Sequence, residues 1–217
     1  MNVVSVNLGQ ERGLRRKDRF EKTGIFKIPT QETVKVTRLG LEGDVVVNQK
    51  HHGGPDQAVY VYGGTDYAWW SRELGADLAP GTFGENLTIS DLESATFHVG
   101  DLLHSGEATL QVTAARIPCG TFAARMNDPL WVKRFRHAGR PGLYCRVLQE
   151  GLVKAEDPVW VERYAEETIS ILEMYRESYN NKKSEETLRR HLRAPIAIRA
   201  RRDIERDLRK LLGTTQT

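Results

Sequence analysis

Cys119 stands in the run Arg116-Ile117-Pro118-Cys119-Gly120-Thr121, between an alternating segment that reads as a strand and a segment that reads as a helix. A thiolate is both a nucleophile and a soft metal ligand, and a nearby cation or a helix N-terminus favours its formation. Arg116 supplies the cation three residues upstream. Thr121 reads as the N-cap of a helix carrying Phe122, Ala124 and Met126, and Gly120 would let a ligand approach the backbone closely. Cysteines also fill cores, and the second of the two in this chain reads that way. Around Cys145 a period of two puts Leu143, Cys145 and Val147 on one face of a strand.

Three glycine-rich loops carry cationic or polar residues beside their glycines. The first is Lys22-Thr23-Gly24-Ile25-Phe26-Lys27. The second runs from Gly43-Asp44 through Lys50-His51-His52-Gly53-Gly54 to Tyr60, and the third is Gly81-Thr82-Phe83-Gly84-Glu85-Asn86-Leu87-Thr88. Backbone amides next to Lys, His and Asn suit an anionic group such as a phosphate, although a glycine-rich turn can also be only a turn. His51 and His52 would point to opposite faces of an extended segment, so at most one of them reaches a given site. The chain has no Gly-rich dinucleotide fingerprint, no phosphate loop ending in Gly-Lys-Ser/Thr, no nucleophile-elbow serine and no His-Glu-x-x-His. Two cysteines exclude a Cys-x-x-Cys pair of zinc knuckles and give no support to a protein-held iron–sulfur cluster. Electrons for any redox chemistry must come from elsewhere.

The elements that must position these residues are short strands separated by Gly, Pro and Asp clusters. Strands are expected over Val3–Asn7, Val34–Leu39, Ala58–Tyr62, Leu102–Ser105, Ala108–Thr113, Leu143–Leu148 and Val159–Val161. Their number and spacing favour a mainly β fold, a barrel or a sandwich. Helical spacing of apolar residues marks Asp66–Leu74 and Pro129–His137 as short inserted helices. After Tyr164 the composition changes, and Glu166–Tyr179, Ser184–Leu192 and Ile196–Leu212 read as three amphipathic helices. The expected organisation is a β domain over 1–165 and a small three-helix bundle over 166–217.

With 39% hydrophobic and 28% charged residues in 217, the chain has the composition of a folded globular protein, and no apolar run nears the roughly 20 residues that span a bilayer. The N-terminus lacks the pattern of a signal peptide, so the expected location is the cytoplasm, with no membrane partner. Of 32 basic and 29 acidic side chains, 12 and 9 lie beyond residue 165, so the net +3 resides in the tail. The tail could dock an acidic partner. As a nucleic-acid reader it is a poor candidate, because its arginines alternate with acids, as in Arg201-Arg202-Asp203-Ile204-Glu205-Arg206-Asp207.

Taken in order, Gly43-Asp44, His51-His52-Gly53-Gly54, Gln57-Ala58-Val59-Tyr60, Phe83-Gly84-Glu85-Asn86-Leu87, Arg116-Ile117-Pro118-Cys119 and Gly139-Arg140-Pro141-Gly142 resemble the YiiM-like branch of the MOSC-domain proteins. MOSC denotes the domain first described at the C-terminus of molybdenum-cofactor sulfurases. The resemblance covers nearly the whole chain and implies a pyruvate-kinase-type β-barrel followed by the three-helix domain. It also implies a molybdenum cofactor (Mo-molybdopterin) and reduction of N-hydroxylated bases such as 6-hydroxylaminopurine to amines. Cys119 maps onto the cysteine that ligates the metal or carries sulfur. For the pterin's phosphate the nominees are Lys22, Thr23, Lys27, His51, His52, Asn86 and Arg116. His51 or His52 would serve as proton donor, and Arg140 would meet the cofactor or substrate or pack in its turn. The implied partners are a small N-hydroxylated substrate and a separate flavin- or ferredoxin-type reductase, with a homodimer left open. A sulfur carrier holding a persulfide on Cys119 is the alternative, since it needs the same activated thiol and no metal.

Overall fold

The computed structural model describes residues 1–16, 19–48 and 52–213. Thirteen strands appear among them. They are β1 (Val3–Gly9), β2 (Arg12–Arg16), β3 (Arg19–Thr23), β4 (Lys27–Thr30), β5 (Val34–Thr37), β6 (Gly40–Leu41), β7 (Val59–Gly63), β8 (Leu87–Ile89), β9 (Leu102–Ser105), β10 (Ala108–Ala115), β11 (Leu143–Gln149), β12 (Gly151–Val153) and β13 (Val159–Glu162). Six helices accompany them: α1 (Gly64–Leu74), α2 (Gly120–Arg125), α3 (Trp131–Ala138), α4 (Ile171–Glu177), α5 (Glu185–Arg193) and α6 (Ile198–Leu211). None of these helices is long and apolar enough to cross a membrane.

Eight strands form one mixed sheet in the order β13-β9-β10-β11-β7-β8-β1-β4. Every ladder in it is antiparallel except β7 with β8. A parallel pair needs a crossover, which α1 and the loop after it supply. The ladders trace a sheet with edges at β4 and β13 rather than the expected closed barrel. A single bridge, Asn2 opposite Pro158, ties the start of β1 to the segment entering β13, with the Val159 N–H donating to Met1 and the Val3 N–H to Asp157. Two smaller sheets, β12-β5-β6 and the β2–β3 hairpin, flank it.

Strand interiors follow their alternation. In β11, Leu143, Cys145 and Val147 are buried. In β10 the register with β11 shifts between Val112 and Ala114. The residue at the shift, Thr113, donates its hydroxyl to the Asp56 carbonyl and lies within hydrogen-bond distance of that of Tyr144. A bulge there bends the strand just before the Cys119 segment. The tail helices do not form a bundle apart. α5 and α6 pack on each other, whereas α4 lies against β10 and the turn at Ser94–Thr96. Glu173 of α4 accepts from Arg190 and His191 of α5, and the Ala197 N–H before α6 donates to Thr113.

An aromatic cluster fixes the helices near the site. Phe83 is fully buried and stacks on Tyr62 at 4.4 Å between centroids, with Tyr67, Trp70, Phe122, Trp131 and Phe135 around it. Phe122 belongs to α2, so this cluster determines where the residue before that helix sits. Phe83→Ala is expected to destabilise the protein by about 3–5 kcal/mol, the usual cost of emptying a packed aromatic site. Equilibrium urea unfolding checks it, and a loss under about 1 kcal/mol would show that the cluster collapses to fill the space.

Candidate functional site

The three glycine-rich loops and the Cys119 segment meet around one cleft of about 800 Å³, a volume that includes its solvent-filled mouth. Its lining comprises Thr23, Gly24, Ile25 and Lys27, Val45–Asn48 with His52 and Gly53, Gly84, Asn86, Tyr60 and Tyr144, and Arg116, Cys119 and Thr121. Close backbone approach makes two glycines necessary. A Cβ on Gly24 would lie 1.9 Å from the Val45 carbonyl oxygen, and Gly84 adopts φ +76° with Ile25 and Arg116 against it.

The floor is a buried ion pair. The Lys27 ammonium donates to both oxygens of Asp44, and both side chains are almost fully enclosed. Asp44 also accepts from the Gly9 N–H at 2.7 Å and from Asn86 Nδ2 at 2.9 Å. Asn86 Oδ1 accepts from the Tyr60 N–H at 3.1 Å. Burial lowers the Lys27 pKa against the attraction of Asp44. Lys27 and Asn86, nominated as anion ligands, are therefore bound into the floor. Lys22 stands at the mouth paired with Glu11 at 2.7 Å, and the Thr23 hydroxyl accepts from the Ile25 N–H.

Cys119, not Thr121, holds the N-cap position of α2, with extended φ and ψ, and its carbonyl accepts from the Ala123 N–H. Thr121 lies inside the first turn of that helix. Burial by itself would raise the Cys119 pKa. A hydrogen bond from His52, the charge of Arg116 and the backbone N–H of Phe122 outweigh it and bring the thiol down to about 6. His52 is held by its own N–H, which donates to the Asn48 carbonyl at 2.9 Å. Arg116 is 4% exposed, donates to the Phe83 carbonyl and lies over the rings of Tyr60 and Phe122, 4.9 and 4.0 Å from their centroids. No carboxylate among the described residues forms an ion pair with it, and its charge acts on the Cys119 thiol.

Of the residues singled out from the sequence, Lys22, Thr23, Lys27, His52, Asn86, Arg116 and Cys119 come together here. His51 lies outside the described residues. Arg140 lies elsewhere: it donates to the fully buried Asp66 at 2.8 Å and pairs with Glu93, away from the cleft lining. Tyr60 and Tyr144, which line the cleft, and Asp44, which pairs with its Lys27, were not singled out, since nothing in a strand tyrosine or a turn aspartate marks such a role. Among the described residues no three His, Cys, Asp or Glu converge on a metal position. A single thiolate fits a metal that arrives with ligands of its own.

The contrast between the two cysteines is measurable. Cys119 should be alkylated by iodoacetamide with a rate that rises through about pH 6, whereas burial pushes the Cys145 thiol up and leaves it unreactive in the folded chain. Mass spectrometry of timed reactions checks it, and an inflection near the ordinary cysteine value of about 8.5 would remove the activation.

The MOSC domain family model matches residues 48–160. An uncharacterised Bacillus subtilis protein, YflK, is 34% identical over 84% of this chain and 83% of its own. Protein YiiM of Escherichia coli is 33% identical over 68% of this chain and 67% of its own. A Gibberella moniliformis protein named reductase is 29% identical over 63% of this chain, which spans only 25% of that longer protein. Among solved structures, YiiM from Geobacillus stearothermophilus superposes with a TM-score of 0.78 at 25% identity, covering 95% of this chain and 98% of that one. The loops read from the sequence, the cleft they build and these likenesses agree: the chain belongs to the MOSC-domain family, in its YiiM-like branch.

Proposed function

We propose that this protein reduces N-hydroxylated bases or related N-hydroxylated compounds to amines, with a molybdenum cofactor held in the cleft and Cys119 as its protein ligand. The observation that carries the reading is the activated thiol of Cys119 on the cleft wall, flanked by His52 and Arg116. When bound, the cofactor would supply the two-electron couple and an exchangeable coordination position, leaving binding and proton handling to the protein. The balance is R–NHOH + 2 e⁻ + 2 H⁺ → R–NH₂ + H₂O.

The chain's own residues have separable tasks. Cys119 Sγ is the soft donor, and a soft thiolate suits a metal presented by a dithiolene. Arg116 keeps that sulfur ionised and, being locked by the Phe83 carbonyl and two rings, cannot swing away from it. His52 orients the thiolate through its hydrogen bond and is placed to hand a proton into the cleft. Tyr60 and Tyr144 keep their phenolic protons, burial raising both pKa values. The cofactor's phosphate would lie toward Lys22, Thr23 and the Gly24 and Gly84 backbones, where the cleft lining is polar. The reductase-named relative and the YiiM relatives support this assignment.

The test is molybdenum and pterin content, with reduction of 6-hydroxylaminopurine by dithionite-reduced viologen, for protein made in a cofactor-producing host. Wild type should carry near-stoichiometric molybdenum and turn over. Cys119→Ala should lose turnover, and His52→Ala should lower metal occupancy or rate about 10- to 100-fold, as removing a partner of a ligand commonly does. Metal-free wild type with a labile persulfide on Cys119 would transfer the assignment to a sulfur carrier.

A further inference from the structure

The tail reaches the second glycine-rich loop. Asp56 lies in the short turn Pro55–Gln57 that leads into β7. Its Oδ2 accepts from the Ile198 N–H at 2.7 Å, supplying at the start of α6 the cap that Ala197 has no side chain to give. Its Oδ1 lies 3.1 Å from Arg146 Nε, and Arg146 also donates to the Pro195 and Ile196 carbonyls at 3.1 and 3.2 Å. The start of α6 is thereby seated on the loop that carries His52, although 142 positions separate Asp56 from Ile198.

Arg199 is the next residue of α6. Its Nη1 donates to Gln57 Oε1 at 3.3 Å, and its Nη2 lies 3.8 Å from where a Cβ on Gly54 would stand. Its charge also reaches Tyr144. Gln57 and Tyr144 both line the cleft. A guanidinium has donors and no acceptor, so Oε1 of the amide faces it and Nε2 faces away. Among the described residues nothing accepts from that Nε2, and the atom is not enclosed. Asn86, also in the lining, differs, because both ends of its amide are engaged, by Asp44 and by the Tyr60 N–H.

We infer that Gln57 is a specificity-determining residue that presents its amide NH₂ to the ligand in the cleft, and that Arg199 of the tail is the positioning residue that holds it so. The donor defines the class of ligand: a planar heterocycle with an acceptor in its plane, a ring nitrogen or a carbonyl, in preference to a carbocyclic ring of similar size. The inference rests on the proposed reduction for the identity of that ligand as an N-hydroxylated base. The tail is then part of the construction of the site. Asp56 seats α6, α6 delivers Arg199, and without Arg199 the amide would be free to turn either end to the cleft.

The test compares 6-hydroxylaminopurine, whose ring nitrogens accept, with phenylhydroxylamine, whose ring offers no acceptor. Cofactor-loaded full chain is used with dithionite-reduced viologen, and the readout is the ratio of kcat/KM for the two substrates. Gln57→Leu should lower that ratio about tenfold, the scale of one hydrogen bond. Arg199→Met should lower it about threefold or more, and Arg199→Lys, which still donates to Oε1, should restore most of the loss. A purely structural role would slow both substrates alike. An unchanged ratio in Gln57→Leu, or a lysine variant no better than the methionine one, would overturn the inference. If cofactor-loaded wild type reduces neither substrate, the reductase reading falls, and calorimetric titration of the same proteins with adenine decides the inference by itself. Tighter adenine binding by wild type and Arg199→Lys than by Gln57→Leu and Arg199→Met would support it, and equal binding or none would overturn it.

Discussion

The buried pair of Lys27 and Asp44 is the constraint on which the rest of the site depends. Two opposite charges removed from water are costly, and their attraction offsets that cost only with close geometry and further hydrogen bonds. Here those bonds come from the Gly9 N–H of β1 and from Asn86, which in turn receives the Tyr60 N–H of β7. Lys27 opens β4, Asn86 immediately precedes β8, and Asp44 belongs to the loop carrying the second glycine-rich segment. One carboxylate thus ties three strands and two loops into the floor of the cleft. Losing one member of such a pair would strand the other charge, at a cost of about 3–5 kcal/mol. The floor therefore has little freedom to rearrange around a ligand.

Above that floor the electrostatics concern a cation without a carboxylate. Arg116 is buried among the Phe83 carbonyl, two aromatic rings and the Cys119 sulfur. The arrangement works in both directions: the guanidinium favours the thiolate, and the thiolate gives the guanidinium a partner. Cys145, in the same chain, shows the effect of burial alone, its thiol pushed up because nothing compensates for desolvation. Cys119 is also only partly buried where Cys145 is enclosed, and of the two it alone has a cation beside it.

Much of this was legible before any coordinates. The strands read from the sequence, Val34–Leu39, Ala58–Tyr62, Leu102–Ser105 and the rest, overlap β5, β7, β9 and their neighbours; β5 and β9 bury alternate residues, whereas β7 is buried on both faces. What failed to register was β2–β3: Arg12–Arg16 and Arg19–Thr23 carry almost no apolar residues, since most of the hairpin faces water and only pairing holds it. β4, which was not expected as a strand, contains Pro29 at a sheet edge where the missing N–H is harmless. Convergence of the three glycine-rich loops on Cys119 could be read from residue types. The partners of individual charges could not, because they lie far off in sequence. Arg140 meets Asp66 across 74 positions and Lys27 meets Asp44 across 17, and no local pattern encodes either.

The same accounting of partners separates the two regions of positive charge around the cleft. Charges that shape the interior are bonded to fixed acceptors, which holds geometry constant and leaves few groups to engage a ligand. Those groups are the Cys119 sulfur, the backbone at Gly24 and Gly84 that lines the cleft, and the polar mouth. Charges on the hairpin are exposed and partly paired with one another, Arg16 with Glu21 and Lys22 with Glu11. A rigid interior suits a bound group whose position must not drift. With β3 forming both the cleft wall and the outer strand of the hairpin, one short segment joins the two surfaces.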